Sequence, residues 1–522
     1  MSLRIADCEL RIERGLAVVA LLLLIGCAPT RVKRPEEAGR FQSVLNQRVA
    51  DLKIDTSTPL SMQRCIEIAL QNNLDYRVRQ LHLALQDEDV RLAMAGGLPK
   101  GDMALSSSHR TNAGLAKIDK FTAKMEDQSV SAFNLRAVIP ILDWGATYYA
   151  WQAAKDRRQQ EVLVLERTRQ TLIRDVRIAY ARLASLQRQE KLIRVGLLAA
   201  RELLKVSQSL EREGLASRAD TAVVEAGLAQ AAEQWATFRR RIEEARIILA
   251  QSMSLPAGVA FNIEETAPAG ARLPTLAEIQ KLEESALQNR PELSAQDRER
   301  RIAALNVREQ FARMLPRLDG QTSFDWTSSS LVVNPSFFRL GVQVADSLLD
   351  SGSQWWRFQR AEKNIPVEEE RTLLLSLGVM YEVDFGVLQL YSMHDTVAAR
   401  EAVVKARQEA LRQVVSKYLE GLETGTDAIR ALSEMYLSRV QLDAAQTEQQ
   451  IAVFQIESSA LAELAQVAEP GKTVESAKLP PFEPGPSLDN LAKLLEFMPP
   501  ADLRQFPELE GLLKASRGET KP

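Results

Sequence analysis

Gly214 opens the string GLASRAD, which carries Arg218 and Asp220, and Gly421 opens GLETGTD, which ends at Asp427 with Arg430 three residues on. Tyr418 precedes the second glycine by three. Carboxylates, a phenol and guanidinium groups three or four positions apart beside a turn can trade hydrogen bonds and set a local field. They contain no nucleophile. Elsewhere the chain has no nucleophile elbow and no phosphate-cradling glycine loop. Cys8, Cys27 and Cys65 form no CxxC pair and cannot build a disulfide framework, and His82, His109 and His394 are too scattered for a metal site. The residues therefore speak against an enzyme, and neither a cofactor nor a metal is expected.

One residue remains for covalent chemistry. GLAVVALLLLIGC, Gly15 to Cys27, follows Arg4, Arg11 and Arg14 and is too short to span a bilayer, which suits a signal-peptide core. Leu24-Ile25-Gly26-Cys27 resembles the bacterial lipoprotein box, which implies cleavage before Cys27 and a covalent lipid on that cysteine. With Ala28 next, the resemblance implies outer-membrane sorting. The competing reading is an ordinary secretory signal with a chance cysteine. Several acyl chains, at roughly 0.8 kcal/mol per buried methylene, make a stable anchor.

The charged turns need elements to position them, and those elements occur twice. Ala69-Leu70-Gln71-Asn72-Asn73 matches Ala286-Leu287-Gln288-Asn289-Arg290 at an offset of 217, as Leu98-Pro99-Lys100 matches Leu315-Pro316-Arg317. Pro140-Ile141-Leu142-Asp143-Trp144-Gly145 matches Ser347-Leu348-Leu349-Asp350-Ser351-Gly352 at 207, the offset that the two turns also keep. The chain is a duplication with one longer loop in its first copy. Each copy reads helix, strand pair, long helix, turn, helix. The first helices are expected at about Ser61–Gly96 and Leu276–Met314. After Gly145 the chain runs to Glu213 with no proline and one glycine, Gly196, roughly 100 Å of helix. The two shorter helices of that copy sum to nearly this length, so end to end they can line it. Pro366 lies inside the second long helix, where a kink is expected.

Between the helices, period-two alternation replaces helical spacing. Phe133, Leu135, Ala137 and Ile139 share one face of a strand. Phe338, Leu340, Val342 and Val344 alternate with Arg339, Gly341, Gln343 and Ala345, and Leu318, Thr322, Phe324 and Trp326 with Arg317, Asp319, Gln321 and Asp325. Apolar-out, polar-in strands of this length are the pattern of a membrane β-barrel. Four strands cannot close one, and open edges do not survive in lipid, so three chains with four strands each are required. Soluble hairpins on a coiled-coil rod are the competing architecture.

In this order, and doubled, the ALxxN helix starts, the Leu-Pro before each hairpin, the D-x-G strand exits and the repeated turn resemble the outer-membrane efflux protein (TolC) family, in its OprM-like lipoprotein branch. The resemblance covers about 60–464. It implies a mainly α fold with a transmembrane β part: a trimeric α-helical tunnel joined to a β-barrel of four strands per protomer. It implies an exit duct of a tripartite efflux or type I secretion system, lipid-anchored in the outer membrane and extending into the periplasm. Its partners would be two further copies, a periplasmic adaptor, an inner-membrane transporter and outer-membrane lipid. The near-neutral net charge of −3 speaks against nucleic acid. The alternative function is a lipid-anchored periplasmic coiled-coil scaffold without a pore.

By the same resemblance Gly214, Leu215, Ser217, Gly421, Leu422 and Thr424 are adaptor-docking tips, and Asp427, Tyr418, Asp220, Arg430 and Arg218 form the periplasmic gate. Asp427 falls on the family's constriction aspartate, Tyr418 on its closed-state tyrosine and Asp220 on its first-repeat aspartate. Two positions depart. Glu423 stands where the family has an arginine, and Arg430 where it has a second ring aspartate, so Arg218 is the candidate replacement latch. The expected layout is a signal peptide over 1–26, an extended segment over 27–59 and a first repeat over 60–258. That repeat holds a β-hairpin at 99–142 and a tip at 214–220. A connector follows over 259–275, then a second repeat over 276–466 with its hairpin at 316–349 and its tip at 421–427. A proline-rich tail occupies 467–522.

Overall fold

The computed structural model describes residues 34–51 and 58–461, except 113, 119–120, 215–216, 257–258, 260, 269, 346–350, 420–421 and 423–424. Cys27 and the tail over 467–522 lie outside the described residues. The chain divides into two units, residues 1–58 with 258–261, and residues 59–257 with 262–522.

The first unit contains one described element, α1 (Arg34–Asp51). It lies within the stretch 27–59 expected to be extended, and over its own residues the chain is helical instead. Pro35 in its first turn and the Arg, Glu and Gln content that follows favour helix.

The second unit begins with α2 (Met62–Asn72), α3 (Leu74–Ala95), β1 (Lys100–His109), β2 (Gly114–Ile118), β3 (Phe121–Glu126) and β4 (Ser129–Leu142). Then come α4 (Ala146–Arg212), α5 (Arg218–Ser252), α6 (Leu276–Asn289) and α7 (Pro291–Arg313). β5 (Arg317–Thr327), β6 (Ser336–Ala345), α8 (Ser351–Leu419) and α9 (Gly425–Ala460) complete it. Each of the single first helices expected at 61–96 and 276–314 is in fact two. Asn73 ends α2 in an extended conformation, and its side chain accepts from the Tyr76 N–H to cap α3. Arg290 is the matching extended residue, and Pro291 behind it fixes the start of α7. α8 runs without a break through Pro366.

The breaks let helices join end to end. Asn72 Nδ2 donates to the Met253 carbonyl at 2.9 Å, Asn73 Nδ2 to the Ser252 carbonyl at 2.9 Å, and the Ser254 hydroxyl takes the Leu74 N–H at 3.1 Å. Orphan groups at the C-terminus of α5 and the N-terminus of α3 are thus met by each other's side chains. In the second repeat Ser285 Oγ reaches the Ala460 carbonyl at 3.0 Å, joining α6 to the end of α9.

Packing orders the helices. α4 lies against α3, α5, α7 and α9, and α8 against α6, α7 and α9. Leu282, Val379, Val383, Leu390, Val453 and Ile456 form a core where α6, α8 and α9 meet. Gly386 is needed there: a Cβ on it would stand 2.9 Å from the Ile456 side chain. By contrast α3 buries no residue, although its repeat equivalent α7 buries Leu293, Ala295, Ile302 and Leu305. α3 and α8 are outer members of the series, each packed on one side.

β1, β4, β5 and β6 form one antiparallel sheet in that order. The β4–β5 pairing joins the two copies, and β1 and β6 are its edges. The longer loop of the first copy carries its own hairpin, β2–β3.

Candidate functional site

Register places the side chains of the sheet in rows. Met103 pairs with Leu135, Leu135 with Phe324, and Phe324 with Phe338. Leu105, Phe133 and Trp326 form the row to one side, and Thr322 with Leu340, Gly320 with Val342 and Leu318 with Val344 continue it on the other. This face is exposed, with Phe338 at 69% and Leu340 at 79%. From Trp326 to Leu318, or Phe133 to Leu142, it spans roughly 26–30 Å along the strands, or about 20–23 Å at a tilt near 40°, close to the apolar band of a membrane barrel.

The opposite face is polar. Asp102 pairs with Arg136, Arg136 with Ser323 and Ser323 with Arg339. Asn134 donates to Asp325 across β4 and β5, and Asp325 also faces Arg339 at 3.7 Å. Beyond the strands, Asp127 accepts from Ser329 Oγ at 2.8 Å and Ser330 Oγ at 2.7 Å, tying the two loops of this end together.

At the other end of the sheet, Asp143 begins α4. Its carboxylate accepts from the Gly145 N–H at 3.0 Å and the Thr147 N–H at 2.9 Å. Partial burial pushes this carboxyl up, but the bonds from Thr147 and Gly145 outweigh it and hold it below the usual carboxylate range. Gly145 sits at φ 86°, a conformation that favours glycine and turns the chain from strand to helix. The adjacent Trp144 donates its indole N–H to the Pro316 carbonyl at 2.8 Å.

The two tips lie at the distal ends of the long helices. In the first, Gly214 adopts φ 72° and donates to the Glu211 carbonyl at 3.0 Å, the left-handed helix stop its sequence position implies. Ser217 immediately precedes α5, and its carbonyl takes the Thr221 N–H at 3.3 Å. Arg218 lies 3.5 Å from Glu211 and 3.4 Å from Glu225, so it bridges the two arms of its own hairpin. Asp220 falls in the first turn of α5. In the second tip, Tyr418 is in the last turn of α8, and Leu422 is exposed with its N–H on the Lys417 carbonyl at 2.8 Å. Asp427 occupies the first turn of α9, half-buried, and Arg430 is exposed one turn on. Leu215, Gly421, Glu423 and Thr424 lie outside the described residues, as do the side chains of Tyr418 and Asp220.

Two buried polar clusters were not anticipated. Arg167 bonds Glu292 at 2.5 Å, and Arg290, 2% exposed, bonds Glu382 at 2.6 Å. Burial, then the nearby Arg290 charge, lowers the Arg167 pKa against the opposing pull of Glu292 and Glu382. Lower on α4, Ser185 Oγ donates to Asp443 at 2.6 Å and Arg188 Nε to the same carboxylate at 2.6 Å. Charged residues are common on every face of these helices, and periodicity does not distinguish the few that point inward.

The model of the outer membrane efflux protein family matches residues 65–254 and 282–460, both copies of the repeat. The nodulation protein T of Rhizobium leguminosarum bv. trifolii is 22% identical over 386 residues, covering 72% of this chain and 80% of that protein. A membrane protein from Pseudomonas aeruginosa superposes with a TM-score of 0.65 at 17% identity, covering 76% of this chain and 92% of its own. The CmeC outer membrane channel of Campylobacter jejuni gives 0.64 at 14% identity, with coverage of 76% and 85%. The solved structures share the fold.

Proposed function

The chain belongs to the outer membrane efflux protein family, and from that membership we propose that three copies form a passive exit duct across the outer membrane. The sheet carries the reading. One face is apolar and exposed, the other polar, and both edges are unpaired among the described residues. Lipid tolerates no open edge, so β6 of one copy pairs with β1 of the next until the cylinder closes. The helices support the same closure, since α3 and α8 present apolar residues on their outer sides. Arg136, Arg339 and Asp325 then line the bore.

Below the barrel, the helices continue the duct into the periplasm. The tips at 214–220 and 421–427 receive a periplasmic adaptor, which joins the duct to an inner-membrane transporter that supplies the energy. Asp427 borders the narrow end, with Arg430 beside it diluting the negative field, so cation preference is weaker than for a ring of aspartates alone. Arg218, engaged with Glu211 and Glu225, stiffens its own tip rather than serving as a free latch. Acylated Cys27 anchors the chain to the outer membrane.

Reconstitution in planar bilayers tests the reading. Purified protein is expected to migrate as a heat-modifiable trimer in unboiled gels and to conduct. A monomer in detergent with no conductance refutes the duct and leaves the poreless scaffold standing. The polar sheet face argues against that scaffold, which has no use for it.

A further inference from the structure

Immediately below the sheet, aromatic residues recur at the same place in both copies. Tyr148, Tyr149 and Trp151 lie in the first two turns of α4, and Trp355, Trp356 and Phe358 hold the corresponding positions of α8, 207 residues on. Tyr148 contacts Tyr149 and Trp151 with ring centroids 5.6 and 6.2 Å apart, and half of its surface is exposed. With the sheet in lipid, aromatic rings at this level mark the interface.

Beneath the rings, an open cleft of about 480 Å³ between α3 and α4 is lined by Asp87, Val90, Arg91, Lys155, Arg158 and Gln159. Three cations face one carboxylate there. Asp87 takes only Nε of Arg158, at 2.7 Å, and Glu88 takes Nη1 of Arg91 at 2.9 Å. Lys155 has no carboxylate partner among the described residues; its ammonium rests over the Trp151 ring, 4.4 Å from the centroid. That contact draws the charge one turn towards the sheet, to the level of Trp151, roughly 8 Å below the start of α4. A headgroup layer of about 5–8 Å on each side of the hydrocarbon brings lipid phosphates within reach of such a side chain. In the second copy Arg357 and Arg360 are exposed at a similar depth without ion-pair partners among the described residues.

We propose that the cavity between α3 and α4 binds the phosphate of an anionic phospholipid of the periplasmic leaflet, held by Lys155, Arg91 and Arg158. The Nη groups of Arg158, which bond no other described residue, and the Lys155 ammonium supply charge-assisted donors to phosphate oxygens, and Val90 gives the glycerol an apolar wall. The site would fix the depth of the barrel in its membrane. It rests on the reading of the sheet as lipid-embedded.

Native mass spectrometry of the detergent-purified trimer tests it, titrating dioleoyl phosphatidylglycerol, dioleoyl phosphatidylethanolamine and inorganic phosphate in turn. Phosphatidylglycerol is expected to bind at least tenfold more tightly than phosphatidylethanolamine, with Lys155→Ala reducing its affinity about tenfold and the double variant Arg91→Glu/Lys155→Glu abolishing the preference. Both substituted positions are exposed, and retention of the heat-modifiable trimer shows that the variants fold. Phosphatidylglycerol affinity within twofold of wild type in the double variant overturns the site while conductance still upholds the duct. Displacement of the lipid by millimolar inorganic phosphate assigns the cavity to free phosphate and overturns the lipid assignment. Loss of both trimer and conductance in the wild type refutes the duct reading itself.

Discussion

Arg188 of α4 and Asp443 of α9 form an ion pair of 2.6 Å between the two copies of the repeat, with both side chains more than four-fifths buried. Arg188 also reaches the Thr266 carbonyl and, at 3.2 Å, Thr447 Oγ1, and Ser185 and Gln189 complete the Asp443 carboxylate at 2.6 and 3.2 Å. One guanidinium therefore ties two long helices to the connector between the copies. Removing one partner leaves the other charge largely buried and unpaired, which costs 3–5 kcal/mol in a fully buried case. With the residual exposure, Arg188→Met is expected to cost about 2–3 kcal/mol, and Arg188→Met/Asp443→Leu to recover part of it. Urea midpoints followed by tryptophan fluorescence check this, and a single-variant loss below about 0.5 kcal/mol shows the pair to be dispensable.

Leu340 and Gln343 are three apart on β6 and point to opposite faces. Arginine on the lipid face near mid-membrane costs about 2–4 kcal/mol, whereas the lumen face tolerates it. Leu340→Arg is accordingly expected to deplete outer-membrane trimer, and Gln343→Arg to leave it at the wild-type level. Band intensities in unboiled gels decide between the faces. Equal depletion by both would contradict the assignment of the apolar side to lipid.

Val78, Leu81, Leu85 and Leu92 are exposed along α3, and Leu373, Leu377, Tyr381, Phe385 and Leu388 along α8, all at helical spacing. These are the outer helices of the series, and closure of three copies is what covers them. Leu81→Asp and Phe385→Asp are each expected to shift the protein from trimer to monomer in native mass spectrometry while far-UV circular dichroism stays unchanged. Trimers persisting in both variants would place the subunit contact elsewhere.

The duplication was legible because it is written in matched strings at fixed offsets, and the two sheet faces because a period of two survives over ten residues. Gly214 opens the repeated string, and glycine is the residue that a left-handed stop favours. The break at Asn73 did not show, since apolar spacing continues on both sides and asparagine is tolerated within helices. Pro291 did mark its own break, but it fell inside a run read as one helix. β2–β3 does not stand out within the longer loop of the first copy, because its short strands mix Lys117 and Lys124 with Leu115, Ile118 and Phe121. Burial of Arg188, Arg290 and Asp443 depends on which helices become neighbours, and local sequence carries no trace of that.

Thr275 and Glu278 close a capping box at the start of α6, and Arg272 holds the second oxygen of Glu278. The Thr275 N–H, then Arg272 and the Thr275 hydroxyl, lower the Glu278 pKa to about 2. A carboxylate depressed in the folded state stabilises above its ordinary unfolded value and loses that contribution as pH falls through the folded one. The thermal midpoint difference between wild type and Glu278→Gln is expected to be constant from pH 7 to about 4.5 and to vanish towards pH 2. A difference that does not change over that acid range would mean that the carboxylate is not what stabilises the box.

Cys65 is fully buried in α2, and burial first, then the Glu264 charge, pushes its thiol up to about 12. The thiolate is the reactive form, so native protein at pH 8 is expected to resist maleimide at this position. Denaturation then counts the cysteines. Cys8 leaves with the signal peptide and Cys27 is blocked by its lipid on the proposed processing, so one thiol per chain reacts in urea. Two thiols would mean an unmodified Cys27 and three an uncleaved N-terminus. Rapid labelling of Cys65 without denaturant would instead show that the packing around α2 opens in the native protein.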